Sequence, residues 1–129
     1  MVSRMKQLLL VDDEPGMTEF IKVVAQEAAF EVRTSNRPAD FMESFKQLPP
    51  DAVILDLAMP GIDGVELLRW LAQEHCQAPI VIISGFDRRV LDAAGRMGEA
   101  SGLKIVDTLA KPIRLAAIRE ALKRLKEGP

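Results

Sequence analysis

Five short apolar runs divide the chain, and most of them stop at a polar or turn-forming group. They are Gln7–Val11 before Asp12-Asp13-Glu14-Pro15, Phe30–Thr34, Ala52–Leu55 before Asp56, Pro79–Ile83 before Ser84-Gly85, and Lys104–Leu109 before Ala110-Lys111-Pro112. Runs of this length, rich in Val, Leu and Ile and bounded by turn residues, predict buried strands. Between them apolar residues recur at helical spacing. Met17, Phe20, Ile21, Val24 and Ala28 give a first amphipathic helix; Phe41, Met42, Phe45 and Leu48 give a second, stopped by Pro49-Pro50. Val65, Leu68, Leu71 and Ala72 mark a third, and Leu115, Ile118, Leu122 and Leu125 a last one. A fourth, over Arg88 to Met97, is weakened by Gly95 and Gly98. Strand and helix thus alternate five times, which predicts a doubly wound α/β domain with a parallel sheet covered on both faces.

Composition narrows the class. The chain has 129 residues, 48% hydrophobic and 28% charged, the balance of one ordinary globular domain. A net charge of −2 gives no sign of a nucleic-acid or membrane surface. No apolar stretch nears the roughly 20 residues of a membrane span. Cys76 is the single cysteine, so no internal disulfide forms, and a reducing, cytoplasmic setting is expected. His75 is the single histidine, which argues against a His-based metal site and suits the end of the third helix.

In an open α/β sheet, sites form at the carboxyl ends of the strands. Four strand ends carry chemistry here: Asp12 and Asp13, Asp56, Ser84, and Lys111. Alone, each has an ordinary structural meaning as a helix start, a turn or a surface residue. Together they bring three carboxylates to one edge, where mutual repulsion calls for a cation. Mg²⁺ takes oxygen ligands and usually completes its shell with water and phosphate oxygens. Lys111 adds a point charge and Ser84 a hydroxyl, both suited to phosphoryl oxygens. The set reads as a phosphoryl-transfer site with Asp56 as nucleophile, forming an aspartyl phosphate.

The chain resembles the receiver domains of two-component response regulators, from Leu8 to about Leu125. The resemblance rests on Val11-Asp12-Asp13-Glu14, Leu55-Asp56-Leu57-Ala58-Met59-Pro60-Gly61-Ile62-Asp63-Gly64, Ile83-Ser84-Gly85 and Ala110-Lys111-Pro112. It implies a flavodoxin-like five-stranded parallel sheet of order 2-1-3-4-5 with five helices. Residues 1–129 would form a single receiver domain, complete in itself or the N-terminal part of a longer response regulator. Asp56 would accept a phosphoryl group from a histidine kinase or phosphotransfer protein. Asp13, Asp56 and the backbone carbonyl of Ala58 would bind Mg²⁺ directly, with Asp12 acting largely through water. Ser84 and Lys111 would hold the phosphoryl oxygens, aided by N–H groups near Leu57, Ala58 and Gly85. Phosphorylation would reshape the surface of helix four, strand five and helix five, read by an output domain or downstream partner. Family habit also implies homodimerisation through that face.

Two features depart from the family pattern. Receivers often carry Tyr or Phe three positions before the lysine; here that position is Thr108, and Phe86 is a candidate stand-in. The stretch from Met97 to Gly102 extends the connection into the fifth strand, which resembles receivers attached to cyclic-di-GMP phosphodiesterase outputs. The main alternative is a Mg²⁺-dependent phosphohydrolase of the haloacid dehalogenase type, which also combines an Asp nucleophile with Ser or Thr and Lys. Those enzymes usually place a second Asp two residues after the nucleophile, where this chain has Ala58. A domain that binds partners without phosphate and a dinucleotide enzyme are weaker still, the latter lacking a Gly-x-Gly-x-x-Gly after the first strand.

Overall fold

A computed structural model describes residues 5–59, 64–85 and 87–128. Five strands alternate with five helices: β1 (Lys6–Val11), α1 (Pro15–Glu27), β2 (Phe30–Ser35), α2 (Pro38–Gln47), β3 (Ala52–Asp56), α3 (Gly64–Gln73), β4 (Pro79–Ser84), α4 (Arg88–Ala100), β5 (Lys104–Ala110) and α5 (Leu115–Glu127). The strands form one parallel sheet in the order β2-β1-β3-β4-β5, as the resemblance implied.

Successive side chains on a strand point to opposite faces, so a sheet covered on both sides needs apolar residues at every position. The central strands obey this. Leu9, Val11, Val53, Leu55, Ile80 and Ile82 join Phe41, Leu67, Leu68, Leu71 and Leu91 from α2, α3 and α4. Leu8, Leu10, Ile54, Val81 and Ile83 face the other way and pack on Ile21, Val24, Ile118, Leu122 and Leu125 from α1 and α5. Trp70 borders the first of these clusters, meeting Phe45 edge-on at 5.3 Å and Phe41 at 6.4 Å. It therefore contributes to packing.

Three helix boundaries carry local physics that the apolar spacing did not show. First, α4 runs through Gly95 and Gly98 to Ala100, one turn past the predicted end. A Cβ at 95 would lie 3.1 Å from Thr108 Cγ2, and one at 98 would lie 3.0 Å from Ile105 Cδ1. The glycines let α4 close onto β5, and that packing outweighs their poor propensity. Much of the segment read as an extended connection is thus the last turn of α4. Second, His75 follows α3 with φ 56°, while its N–H bonds to Ala72 O and that of Cys76 to Leu71 O. It terminates the helix through a left-handed backbone, a role usually taken by glycine. Third, Ala29 has φ 65° where α1 turns into β2. A side chain in this region is disfavoured by roughly 1–2 kcal/mol, against a glycine entropy cost of about 0.5–1 kcal/mol. Ala29→Gly is therefore expected to stabilise the fold by about 0.5–1 kcal/mol, seen as a higher urea midpoint with unchanged slope. A lower midpoint would contradict this account of the turn.

Thr108 sits in β5, with its carbonyl accepting from Arg88 Nη1 at 3.3 Å. Phe86 lies outside the described residues. Among the described residues, no helix is long and apolar enough to cross a membrane.

Candidate functional site

The strand register decides what meets at the carboxyl edge. Val11 pairs with Leu55, Asp56 with Ile83, and Ser84 with Ala110. Asp12 is therefore level with Asp56, and Lys111 begins where β5 leaves Ser84. Single backbone bonds extend the ladder past the strand ends: Asp12 N to Ser35 O at 3.1 Å, Leu57 N to Ile83 O at 3.0 Å, and Lys111 N to Ser84 O at 2.8 Å. These bonds fix the directions in which the side chains leave the sheet.

The two buried aspartates are held alike. Asp12 Oδ1 accepts the N–H of Glu14 at 2.9 Å, and Asp56 Oδ1 accepts that of Ala58 at 3.0 Å. In each case a carboxylate bonds its own chain two residues on, a turn typical of Asp. The second oxygens, Asp12 Oδ2 and Asp56 Oδ2, both lie 3.2 Å from Lys111 Nζ. For Asp56 this is a hydrogen bond; for Asp12 it is an ion pair without hydrogen-bond geometry, so Asp12 Oδ2 is buried with no hydrogen-bond donor. Asp12, Asp56 and Ser84 are each fully buried.

Burial destabilises the carboxylate of Asp56 and pushes its pKa up to about 6. The Ala58 N–H opposes the rise, the negative charge of Asp12 adds to it, and Lys111 opposes it. For Lys111, burial alone would lower the pKa. The hydrogen bond to Glu14 and the charges of Asp56 and Asp12 more than reverse this and hold the ammonium above its usual range. Lys111 is a fixed positive charge at any working pH.

Asp12, Asp13 and Asp56 each offer a carboxylate oxygen, and these oxygens lie within 4.8 Å of one another. The donors are all hard oxygens, and the Asp12 carboxylate among them has a buried oxygen, Oδ2, that accepts no hydrogen bond. That set fits a hard divalent cation. The structure thus brings together Asp12, Asp13, Asp56 and Lys111, places Ser84 beside them on the neighbouring strand, and holds Ala58 against Asp56. Glu14 is the residue that apolar and motif spacing missed: its Oε1 lies 2.6 Å from Lys111 Nζ. The signal was only a third acid in the Asp12-Asp13-Glu14 run. A cavity of about 630 Å³ opens alongside, lined by Asp12, Asp13, Thr18, Ser35, Asn36 and Asp40 among others, but not by Asp56 or Lys111.

The Gly64 backbone closes the loop that follows Asp56. Its N–H donates to Leu57 O at 2.9 Å, and a Cβ at this position would fall 2.3 Å from Leu57 Cα. Only glycine allows α3 to start this close to the loop.

Comparison with known proteins agrees with this geometry. The family model of the response regulator receiver domain matches residues 8–123. The chemotaxis protein CheY of Thermotoga maritima is 27% identical over 125 residues, covering 95% of this chain and 98% of that protein. The transcriptional regulatory protein TrcR of Mycobacterium tuberculosis is 29% identical over 92% of this chain and 44% of its own length. DctD of Pseudomonas aeruginosa, a C4-dicarboxylate transport transcriptional regulatory protein, is 30% identical over 94% of this chain and 25% of its own length. The chain therefore spans less than half the length of these two regulators. Among solved structures, a response regulator from Colwellia psychrerythraea aligns with TM-score 0.80 at 29% identity, covering 96% of this chain and 98% of that one. NtrX from Brucella abortus aligns with TM-score 0.84 at 25% identity, covering 95% of this chain and 27% of that one. Nothing here supports the phosphohydrolase alternative. With a matching model across nearly the whole sequence, the sheet order of the fold and an acidic edge closed by a lysine, the chain belongs to the response regulator receiver domain family of two-component signalling.

Proposed function

We propose that Asp56 is the residue that accepts the phosphoryl group. The observation that carries this is its position: a fully buried carboxylate at the end of the central strand, 3.2 Å from Lys111 and within 4.8 Å of two further carboxylates. The donor is a phosphohistidine on a histidine kinase or phosphotransfer protein. A carboxylate oxygen of Asp56 attacks phosphorus, the P–N bond breaks, and its electron pair returns to the imidazole. The product is an acyl phosphate, later hydrolysed by water to return phosphate and the free carboxylate. Asp12, Asp13, Asp56 and the Ala58 carbonyl would hold Mg²⁺, which when bound supplies charge neutralisation and a template for the phosphoryl oxygens.

The chain's own groups do the positioning. The Ala58 N–H holds one oxygen of Asp56 and so sets the orientation of the carboxylate. Lys111 and the Ser84 hydroxyl donate to phosphoryl oxygens as charge builds on them. Ser84 and Lys111 belong to the ends of β4 and β5, so their response to the phosphoryl group reaches α4, β5 and α5 through the backbone. The product is a conformation read by an output domain or partner protein. The relatives named as transcriptional regulators favour a transcriptional output over a cyclic-di-GMP phosphodiesterase.

Intact mass after incubation with acetyl phosphate tests this reading. The expected result is one labile phosphoryl adduct that requires Mg²⁺ and is absent from Asp56→Asn. An adduct that persists in the variant, or that forms equally well in EDTA, would overturn the assignment.

A further inference from the structure

A lysine ammonium has three N–H donors and no acceptor. Lys111 faces three carboxylates: it hydrogen-bonds Asp56 at 3.2 Å and Glu14 at 2.6 Å, and it ion-pairs with Asp12 at 3.2 Å. The Glu14 side chain is 60% exposed. A phosphoryl oxygen arriving at Lys111 competes with these carboxylates for the ammonium. Asp12 and Asp56 are fully buried, so parting either from Lys111 leaves a buried charge with less compensation. Letting go of Glu14 returns that carboxylate to water and costs little. The partner that can be exchanged is Glu14.

The backbone keeps Glu14 in place for this. Its N–H donates to Asp12 Oδ1 at 2.9 Å, and its carbonyl accepts from Thr18 N at 3.0 Å. Pro15 follows directly and begins α1. The side chain is therefore launched from a fixed point beside the acidic cluster and reaches Lys111 across 97 residues of sequence.

We propose that Glu14 is a positioning residue that holds Lys111 at the rim of the site and competes with the incoming phosphoryl group for it, so setting the rate of phosphorylation. This rests on Asp56 being the phosphoacceptor. Two variants separate competition for the lysine from simple repulsion of an anionic donor. Glu14→Gln removes the charge; Glu14→Asp keeps it but is one methylene shorter and withdraws from Lys111. Competition makes both variants react with acetyl phosphate faster than wild type, by about two- to fivefold, the range of an exposed ion pair. Repulsion alone would leave Glu14→Asp at the wild-type rate, and that result would overturn the proposal. The Lys111 ammonium gives a readout that a merely structural role would not move. Its proton exchange, followed by ¹⁵N NMR without any donor, should quicken in both variants while the urea midpoint stays put. Unchanged exchange would also overturn the proposal. If wild type is phosphorylated on Asp56 but all three proteins react alike, this proposal alone falls. If wild type takes no phosphoryl group with Mg²⁺ present, the phosphoacceptor reading falls first and this proposal with it.

Discussion

Gly64→Ala is expected to destabilise the fold by about 3 kcal/mol, near the upper end of the usual range for an overpacked site. The new methyl would sit 2.3 Å from Leu57 Cα and 2.9 Å from the carbonyl oxygens of Asp56 and Leu57. All three are backbone atoms, at the end of β3 and the first residue after it, so no side-chain rotation relieves the clash. Either α3 or the loop must move, and the hydrogen bond from Gly64 N to Leu57 O goes with it. Movement of the loop also takes away the Ala58 N–H that orients Asp56. Displacements of about an ångström at a reacting group lower rates by roughly a hundredfold. Urea unfolding and the rate of phosphorylation by acetyl phosphate measure the two effects. Wild-type values for both would contradict the packing described here.

Asp56→Asn should have a large effect of the opposite sign on stability. In the folded chain the Asp56 pKa is raised from 3.8 to about 6, so the folded state binds its proton more tightly than the unfolded state. Stability contributed by this residue is present below about pH 4 and is lost as pH rises through about 6. The deficit above that window is on the order of 2–3 kcal/mol, at about 1.4 kcal/mol per pKa unit. Asn keeps an oxygen for the Ala58 N–H but cannot ionise. In EDTA at pH 7 the variant is therefore expected to be more stable than wild type by that amount, with the two converging near pH 4. Added Mg²⁺ should stabilise wild type more than the variant and narrow the gap. Urea midpoints at the two pH values decide it; a variant less stable at pH 7 would show that Lys111 more than offsets the burial of Asp56.

These effects depend on contacts of two kinds, and only one kind was legible in the sequence. The buried strands were readable because a sheet covered on both faces needs uninterrupted apolar runs, as in Leu8–Val11 and Ala52–Leu55. Their polar ends then located Asp12, Asp56, Ser84 and Lys111. Helix limits were less readable. Leu48 and Leu115 continue the apolar spacing of α2 and α5, yet they are exposed, Leu48 lying just past α2 in an extended backbone. The full length of α4 was hidden because propensity sees Gly95 and Gly98 as weak points, while the fold uses them for close approach to β5. The Glu14–Lys111 contact had no local signal, since its partners lie at opposite ends of the chain. The loop closed by Gly64 follows the same logic: a glycine after a turn looks ordinary until the backbone beneath it is seen.

The central claim is chemical, that the phosphoryl group is carried by Asp56 and by no other residue. Borohydride reduces an acyl phosphate to the alcohol and so marks the acceptor permanently. After treatment with acetyl phosphate and Mg²⁺, reduction and peptide mass spectrometry should find homoserine at position 56 alone. Homoserine at position 12 or 13, or a phosphoryl group retained on His75, would contradict the account.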